Sequence, residues 1–341
     1  MSDEEIRVWK RLMHSDSPPF GNYRDLGLSN TRKMFSGALR GKFAVPGYNF
    51  YNLEQLRAII AGCAETDSPV ILQVLERNLN DASVRSITHM VKGIIVSRND
   101  SVHTVVALHL DHGTSFESCK RCVDVGFSSV MIDGSQLPLD ENIELTRSVV
   151  DYAHKYDVCV EGELGAISGA TELATREEMY TRPSQVDEFV KATKVDSLAI
   201  SIGTAHGPSK SRLKDAPVQL RLDILDEVRA RVGDFPLVLH GASGVPKQYV
   251  EILKRYGGQM EGASGVGDDQ LRAAVKKGIC KANFDTDIKL IFTATEREYL
   301  TENPKEFDPR KHLDIAETRV SEYVRNKNRV LGSQDMARYC H

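Results

Sequence analysis

The chain has 341 residues, of which 41% are hydrophobic and 27% charged, close to the averages of globular proteins, so a disordered or fibrous protein is excluded. Its net charge of −4 argues against a protein that holds nucleic acid or an acidic membrane by bulk charge, while a local basic pocket for one phosphorylated metabolite remains compatible. No apolar run approaches the roughly 18 residues that span a bilayer, and the acidic N-terminus lacks the apolar core of a secretory signal. We therefore expect a cytoplasmic protein with no nucleic-acid or membrane partner.

The six cysteines are scattered and predict reduced thiols rather than a disulfide or zinc-ribbon framework. Cys119 and Cys122 form a single CxxC inside a predicted helix, and no second pair lies at zinc-ribbon spacing. The others are isolated at positions 63, 159, 280 and 340. This usage is typical of a cytosolic protein.

Residues 1–35 are polar and predict an N-terminal extension with one short helix around Glu5–Met13. After them, short apolar runs rich in β-branched residues alternate with stretches of helical periodicity, among them 52–65, 184–194 and 220–232. Eight runs are predicted as strands: FAVPGYNF (43–50), PVILQV (69–74), VVALHLDH (105–112), SSVMIDGS (128–135), CVEGELG (159–165), SLAISIG (197–203), PLVLHG (236–241) and GICKANF (278–284).

Eight strands that alternate with helices predict a (β/α)8 barrel at 36–333, ending in a helical segment and a short tail at 334–341. A doubly wound open sheet would give a similar alternation. The polar residues favour the barrel, because they follow the C-terminal ends of the runs, and those ends open on one face of a barrel. Each could instead cap the following helix, but together they predict a shared site. They are Asp111, His112, Asp133, Glu163, His206, His240, Asn283 and Asp285.

Three of these residues, His112, His206 and His240, suit a catalytic zinc, which takes about three protein ligands and leaves one position for water or substrate. His109 lies three residues before His112 and is predicted to be a buried, hydrogen-bonded core residue. Asp111 would lie next to a metal-bound substrate. It could act as a general acid or base, or as an acceptor that orients a ligand histidine, and spacing leaves both roles open.

Two glycine-containing loops follow the later histidines, HGPSK at 206–210 and HGASG at 240–244. Glycines let backbone N–H groups approach an anion closely, and the phosphate site of a barrel commonly uses the late loops. Ser243 could donate a hydroxyl and Lys210 a charge. The alternative is a flexible loop without a ligand.

These motifs together resemble the class II (zinc-dependent) fructose-bisphosphate aldolases, in particular the shorter second subgroup, which is related to the tagatose-bisphosphate aldolases. The resemblance runs from about residue 32 to about 333. It rests on AVPGYNF, PVILQ, HLDHG, SSVMIDGS, EGELG, IGTAHGPSK, LVLHGASGVP, the stretch from YGGQMEGASG to KANFDTD, and FDPRKHL. It implies a TIM barrel that forms a homodimer or homotetramer, with Zn²⁺ as cofactor, a monovalent cation (Na⁺ or K⁺) nearby and a sugar phosphate as substrate.

The resemblance also implies a role for each matching residue. His112, His206 and His240 would bind zinc, Glu163 and Asp133 would hold it in an alternative, outward position, and Asp111 would exchange the proton of the C4 hydroxyl. Arg310 would reach the distal phosphate, often from the neighbouring subunit. The residues expected to line the dihydroxyacetone-phosphate half are Gly207, Lys210, Gly241, Ser243, Asn283, Asp285 and Thr286. Ala242 and Lys289 are further residues expected to contact the substrate.

The chain departs from the family pattern at the aldehyde end of the substrate. Leu75 occupies the place of a serine. The loop SGATE puts Thr171 where a proton-shuttling glutamate is usual, with Glu172 one place late, and Lys289 replaces an arginine. The loop HGPSK also lacks the usual aromatic residue before its lysine. Asp285 favours the fructose type over the tagatose type.

The sequence therefore predicts an aldolase that cleaves fructose 1,6-bisphosphate to dihydroxyacetone phosphate and glyceraldehyde 3-phosphate in glycolysis and gluconeogenesis. Three alternatives stay open. One is the same chemistry on another phosphorylated ketose, such as tagatose 1,6-bisphosphate or a deoxyketogluconate phosphate. The others are a zinc-binding paralogue with little turnover and a zinc hydrolase on the same barrel.

Overall fold

The computed structural model describes residues 22–79, 81–97, 104–165, 179–204 and 218–341. Several predictions fall outside these residues. They are the helix at Glu5–Met13, the SGATE loop with Thr171 and Glu172, and the HGPSK loop with His206, Gly207 and Lys210.

Eight parallel strands close into a barrel in chain order, because the last strand pairs with the first. This confirms the predicted (β/α)8 fold, and each strand lies within one of the predicted runs or extends one residue beyond it. The strands are β1 (Val45–Asn49), β2 (Val70–Leu75), β3 (Val106–Gly113), β4 (Ser129–Ile132), β5 (Cys159–Leu164), β6 (Ser197–Ile200), β7 (Leu237–Leu239) and β8 (Ile279–Phe284).

Amphipathic helices surround the barrel and bury their apolar sides against it. The helix predicted at 52–65 is present, and it begins where the Asn52 side chain accepts a hydrogen bond from the Gln55 amide at 2.9 Å. The helices are α1 (Thr31–Gly41), α2 (Leu53–Glu65), α3 (Asp81–Ser97), α4 (Phe116–Asp124), α5 (Leu139–Ala153), α6 (Pro183–Thr193), α7 (Leu222–Val232), α8 (Lys247–Arg255), α9 (Asp268–Lys276), α10 (Thr286–Glu302) and α11 (Pro309–Val330).

The N-terminal end of the barrel is closed by α1 and by the end of the chain. Phe35 of α1 packs in one apolar cluster with the interior residues Ile71 and Ala107 and with Cys340 near the C-terminus. The predicted boundary at residue 35 falls inside α1, and residues of the predicted tail are part of this packed layer. The closed, apolar end leaves the opposite end of the barrel for a site.

The cysteines bear on the sequence expectation of reduced thiols. All six cysteines are free and buried. Cys119 and Cys122 lie in α4, as predicted.

None of the helices in the described parts of the chain has the length and apolar composition needed to cross a membrane.

Candidate active site

A cavity of about 1120 Å³ opens at the C-terminal ends of the strands. It is large enough for a small-molecule substrate. Ten of the residues predicted from the sequence line this one cavity: Asp111, His112, Asp133, His240, Gly241, Ser243, Asn283, Asp285, Thr286 and Lys289.

The end of β3 brings two consecutive residues to the cavity, which a regular strand cannot do because neighbouring side chains point to opposite faces. His112 has a φ of 52°, in the left-handed region that non-glycine residues rarely adopt. The pairing of β3 with β4 shifts register between Leu110 and Gly113. This bulge turns both Asp111 and His112 towards the mouth of the barrel. The irregular backbone therefore lies where two adjacent polar side chains face the cavity.

His112 and His240 approach each other across the barrel from β3 and from the end of β7. The Nε2 atom of His112 and the Nδ1 atom of His240 lie 3.0 Å apart, and their rings are nearly perpendicular. The Oδ1 atom of Asp111 is 3.9 Å from each of these nitrogens. Three ligand atoms therefore surround one point inside the cavity.

A second group of carboxylates faces the other nitrogen of His112. The Asp133 carboxylate lies 2.8 Å from His112 Nδ1, and Glu163 Oε2 lies 3.8 Å away. Burial opposes protonation of His112, but Asp111, Asp133 and Glu163 outweigh it and raise its pKa to about 9. The negative charge that favours an imidazolium here would also favour a metal cation.

Asp111 is buried and ionised. Burial opposes the charge, but the neighbouring His112 and His240 and a hydrogen bond from Asn49 lower the pKa of Asp111 below its usual range. The Asn49 side-chain amide donates to Oδ2 at 2.7 Å. The other oxygen, Oδ1, is buried without a hydrogen-bond partner among the described residues. A buried carboxylate oxygen in this state is suited to a metal ion or to a substrate hydroxyl.

A buried ion pair lies beneath His240. Glu161 on β5 accepts a hydrogen bond from Lys281 on β8, with 2.8 Å between Oε2 and Nζ, and both side chains are about 1% exposed or less. The other oxygen of Glu161 lies 2.7 Å from His240 Nε2. His109 completes the group, 3.2 Å from Lys281 Nζ and 2.8 Å from the Ser129 hydroxyl. His109 is thus the hydrogen-bonded core residue predicted from the sequence.

The loop after β7 is held by a buried carboxylate. Gly241 has a φ of 62°, a turn that glycine adopts without strain. The Asp287 carboxylate accepts hydrogen bonds from the backbone amides of Gly244 and Val245, both at 2.8 Å, and from the Tyr323 hydroxyl. This anchoring fixes Ser243 at the cavity.

Comparison with known proteins decides the family. The family model described as fructose-bisphosphate aldolase class-II matches residues 29–336. The chain belongs to this family. It is 47% identical over 330 residues to the fructose-bisphosphate aldolase of Treponema pallidum, covering 93% of this chain and 99% of that one, and 36% identical over 306 residues to that of Giardia intestinalis, covering 90% and 93%. The crystal structure of the YdjI aldolase from Escherichia coli K12 matches with a TM-score of 0.72 and 28% identity, covering 91% of this chain and 99% of that one.

Most of the predicted site residues that the structure describes line the cavity of this class II aldolase chain. Ala242 and Arg310 lie outside the cavity lining. Ala242 is buried in the core beside the cavity, and its amide donates to the Asn283 carbonyl at 3.1 Å. Arg310 lies at the start of α11, 84% exposed and paired with Asp308. Its predicted contact with the distal phosphate stays a prediction.

Sequence reasoning missed four polar residues of the aldolase barrel interior: Glu161, Lys281, Asn49 and Gln73. The two-residue period of a strand could have found them. Glu161 lies two residues before Glu163, and Lys281 two residues before Asn283, so each pair shares a face of its strand.

The donors present fit a zinc ion. Zinc binds imidazole nitrogens at about 2.0–2.1 Å, which places two tetrahedral ligands about 3.3 Å apart. The 3.0 Å between the facing nitrogens of His112 and His240 is close to this spacing, and the Asp111 carboxylate adds negative charge 3.9 Å from both nitrogens. Glu161 and Asp133 hold the outer nitrogens of the two rings, the arrangement that orients histidine ligands.

Proposed function

We propose that the protein is a zinc-dependent aldolase that reversibly cleaves fructose 1,6-bisphosphate to dihydroxyacetone phosphate and glyceraldehyde 3-phosphate, a step of glycolysis and gluconeogenesis. The observation that carries the proposal is the meeting of Asp111, His112 and His240 in one cavity, with one Asp111 oxygen left for a ligand. Family membership supports the same reaction.

His112 and His240, with His206 from the predicted ligand set, would hold the ion. When bound, zinc supplies Lewis-acid polarisation of the C2 carbonyl of the ketose. The Asp133 and Glu163 carboxylates, within 4 Å of His112, would orient this ligand and provide the proposed outward position of the metal.

Asp111 is the proposed catalytic acid and base. Cleavage of the C3–C4 bond requires the C4 hydroxyl to lose its proton while an aldehyde forms. An ionised carboxylate can take that proton, and the lowered pKa keeps Asp111 ionised at neutral pH. Asn49 fixes the carboxylate through Oδ2, which leaves Oδ1 to face the substrate. In the condensation direction, Asp111 would return the proton.

The loops after β7 and β8 would hold the dihydroxyacetone-phosphate half. Gly241 and Ser243 offer backbone and hydroxyl donors, and Thr286 lies at the N-terminus of α10, where the helix dipole favours an anion. Gly207 and Lys210 are proposed to complete this half, with a monovalent cation nearby. Fixing the phosphate places the reacting carbons against Asp111.

A second candidate is the same chemistry on another phosphorylated ketose. Leu75 favours it, because an apolar side chain lines the cavity where the family pattern has a serine hydroxyl. Arg77 and Arg121 also line this region and could bind an anionic group. The two candidates share the retro-aldol chemistry and differ in the ketose that is cleaved.

Cleavage assays on purified protein test these proposals. Fructose 1,6-bisphosphate and tagatose 1,6-bisphosphate are compared, each with EDTA and after addition of zinc. We expect chelator-sensitive cleavage that favours fructose 1,6-bisphosphate. Preference for the tagatose sugar would support the second candidate, and zinc binding without cleavage of either sugar would contradict the first.

Assembly and location are also proposed. The resemblance supports a homodimer or homotetramer, in which Arg310, exposed in one subunit, could reach a neighbouring site. Six buried free thiols support a reducing compartment, so we propose a cytoplasmic location. Size-exclusion chromatography with light scattering would measure the assembly.

A further inference from the structure

Tyr51 lies at the rim of the cavity, in the loop between β1 and α2. Its backbone amide donates to the Gln55 side chain at 2.9 Å, and Gln55 belongs to the first turn of α2. The side chain is 38% exposed. The backbone is thus fixed while the phenol ring reaches towards the neighbouring β8.

The Tyr51 ring meets a charged pair at the end of β8. The Tyr51 hydroxyl donates to Oδ1 of Asp285 at 2.5 Å, and Lys289 Nζ donates to Oδ2 at 2.6 Å. Lys289 Nζ also lies 4.5 Å from the centre of the Tyr51 ring, within range of a cation–π contact. Each of the three side chains therefore contacts the other two.

Asp285 occupies the N-cap of α10, where an aspartate usually accepts a hydrogen bond from the helix backbone. Its side chain makes no such bond, and its two oxygens contact Tyr51 and Lys289 instead. The helix therefore lacks a side-chain cap from Asp285, and the contacts with Tyr51 and Lys289 fix the orientation of the carboxylate at the cavity wall. This arrangement is typical of a residue held for a ligand.

The phenol remains a donor over the physiological range. Burial and the charge and hydrogen bond of Asp285 raise the pKa of Tyr51 well above its ordinary value. A neutral hydroxyl can therefore hold the carboxylate without adding charge, while Lys289 supplies the single positive charge of the group.

We propose that Tyr51 is a positioning residue that sets specificity at the aldehyde end of the substrate, where Lys289 departs from the family pattern. The resemblance assigns Asp285 to the dihydroxyacetone-phosphate half, but its contact with Lys289 brings one of its oxygens to the aldehyde end. Tyr51 would hold Asp285 as an acceptor for a substrate hydroxyl while Lys289 turns to an anionic substrate group. Lysine has a flexible stem and a point charge, so it can exchange Asp285 for a phosphate. Without Tyr51, Asp285 would lose its second anchor when Lys289 moves. This inference rests on the proposed function.

The substrate chemistry follows from the group. A carboxylate that accepts and an ammonium that donates, side by side, suit an aldehyde that carries a hydroxyl next to the carbonyl and a negative charge farther along. A short aldehyde that has neither the hydroxyl nor the charge, such as propionaldehyde, would use neither Asp285 nor Lys289, so its reaction would be insensitive to Tyr51.

Two variants separate the hydroxyl from the ring. Tyr51→Phe keeps the aromatic face over Lys289 and removes only the hydroxyl, and Tyr51→Leu removes both. The matched control is Tyr339→Phe, because Tyr339 is 39% exposed and lies next to Cys340 at the closed end of the barrel. Kinetics are measured in the condensation direction with glyceraldehyde 3-phosphate and with propionaldehyde, which lacks both the hydroxyl and the charge. Exchange of the dihydroxyacetone-phosphate C3 proton with solvent is measured without any aldehyde.

We expect Tyr51→Phe to raise the KM for glyceraldehyde 3-phosphate about 3–10-fold, with kcat and the KM for dihydroxyacetone phosphate within about twofold of the starting protein. Tyr51→Leu should raise the same KM further. The KM for propionaldehyde and the proton-exchange rate should follow the Tyr339→Phe control.

An unchanged KM for glyceraldehyde 3-phosphate in both Tyr51 variants would overturn the proposal. An equal loss in all reactions, together with a lower Tm, would also overturn it, because that result indicates a structural role. Failure of the proposed function looks different: the unsubstituted protein would neither exchange the C3 proton nor cleave a ketose bisphosphate.

Discussion

Glu161→Gln tests the buried ion pair beneath His240. Glutamine has nearly the volume of glutamate, so the change removes a charge without opening a cavity. Lys281 is fully buried, and no other ion pair joins it to a carboxylate among the described residues. His109 cannot compensate, because a histidine side chain is neutral or positively charged and cannot neutralise a lysine.

The expected loss is large because one partner of a buried pair remains charged. Removing a single partner of such a pair costs about 3–5 kcal/mol of unfolding free energy. At roughly 1.5 °C per kcal/mol for a domain of about 300 residues, the Tm of metal-free protein should fall by about 4–8 °C. His240 also loses the carboxylate that faces its Nε2 atom, so zinc affinity should fall about 10–100-fold.

Two further variants separate these effects. The double variant Glu161→Gln/Lys281→Met removes both charges and should recover most of the Tm, while zinc affinity stays low because His240 still lacks its carboxylate. Asp226→Asn breaks the exposed pair with Lys277 and should cost less than about 1 kcal/mol. Thermal unfolding and competitive zinc titration provide the measurements. A Tm for Glu161→Gln equal to that of Asp226→Asn would refute the reasoning, as would full zinc affinity in the double variant.

Asp111→Asn should keep zinc binding near normal and reduce cleavage of fructose 1,6-bisphosphate about 10²–10⁴-fold, since an amide cannot take the C4 hydroxyl proton; unchanged turnover would remove Asp111 from the mechanism. Asp196→Asn should show acid-dependent stability: burial opposes its charge, but hydrogen bonds from His154 and the Val160 amide lower the pKa of Asp196 below 3.8. A carboxyl group whose pKa is lower in the folded chain than in the unfolded chain stabilises the fold at pH values above its unfolded pKa. This stabilisation is lost as the pH falls through its folded pKa. The variant should therefore be less stable than the unsubstituted protein at pH 7. The difference in their unfolding free energies, measured by urea denaturation, should vanish below about pH 4. A difference that grows on acidification would contradict the lowered pKa of Asp196.

The strand order and the position of the site could be predicted because both depend on periodic features. Apolar runs of strand length recur between helical stretches, and polar residues lie at the C-terminal ends of six of the eight runs, so the barrel and its C-terminal face come from local pattern. His112 and His240 needed no more than this. Their meeting at 3.0 Å agrees with the predicted convergence.

The remaining features depend on partners distant in sequence. Glu161 and Lys281 are 120 residues apart, and a charged residue in a strand predicts exposure unless its partner is known. The left-handed φ of His112 results from a register shift against β4. Tyr51 reaches Asp285 across 234 residues. The strand period can give the face on which Glu161 or Lys281 lies, but the contacts themselves come from closure of the barrel.

Zinc titration of metal-free protein, followed by cleavage of fructose 1,6-bisphosphate at each step, tests the central claim most directly. The account predicts that activity is absent after chelation, rises in proportion to added zinc, and saturates at about one zinc per chain, the stoichiometry of a single catalytic site. His240→Ala should bind little zinc and stay inactive throughout. Full activity in thoroughly chelated protein, or an active His240→Ala variant without metal, would contradict the account.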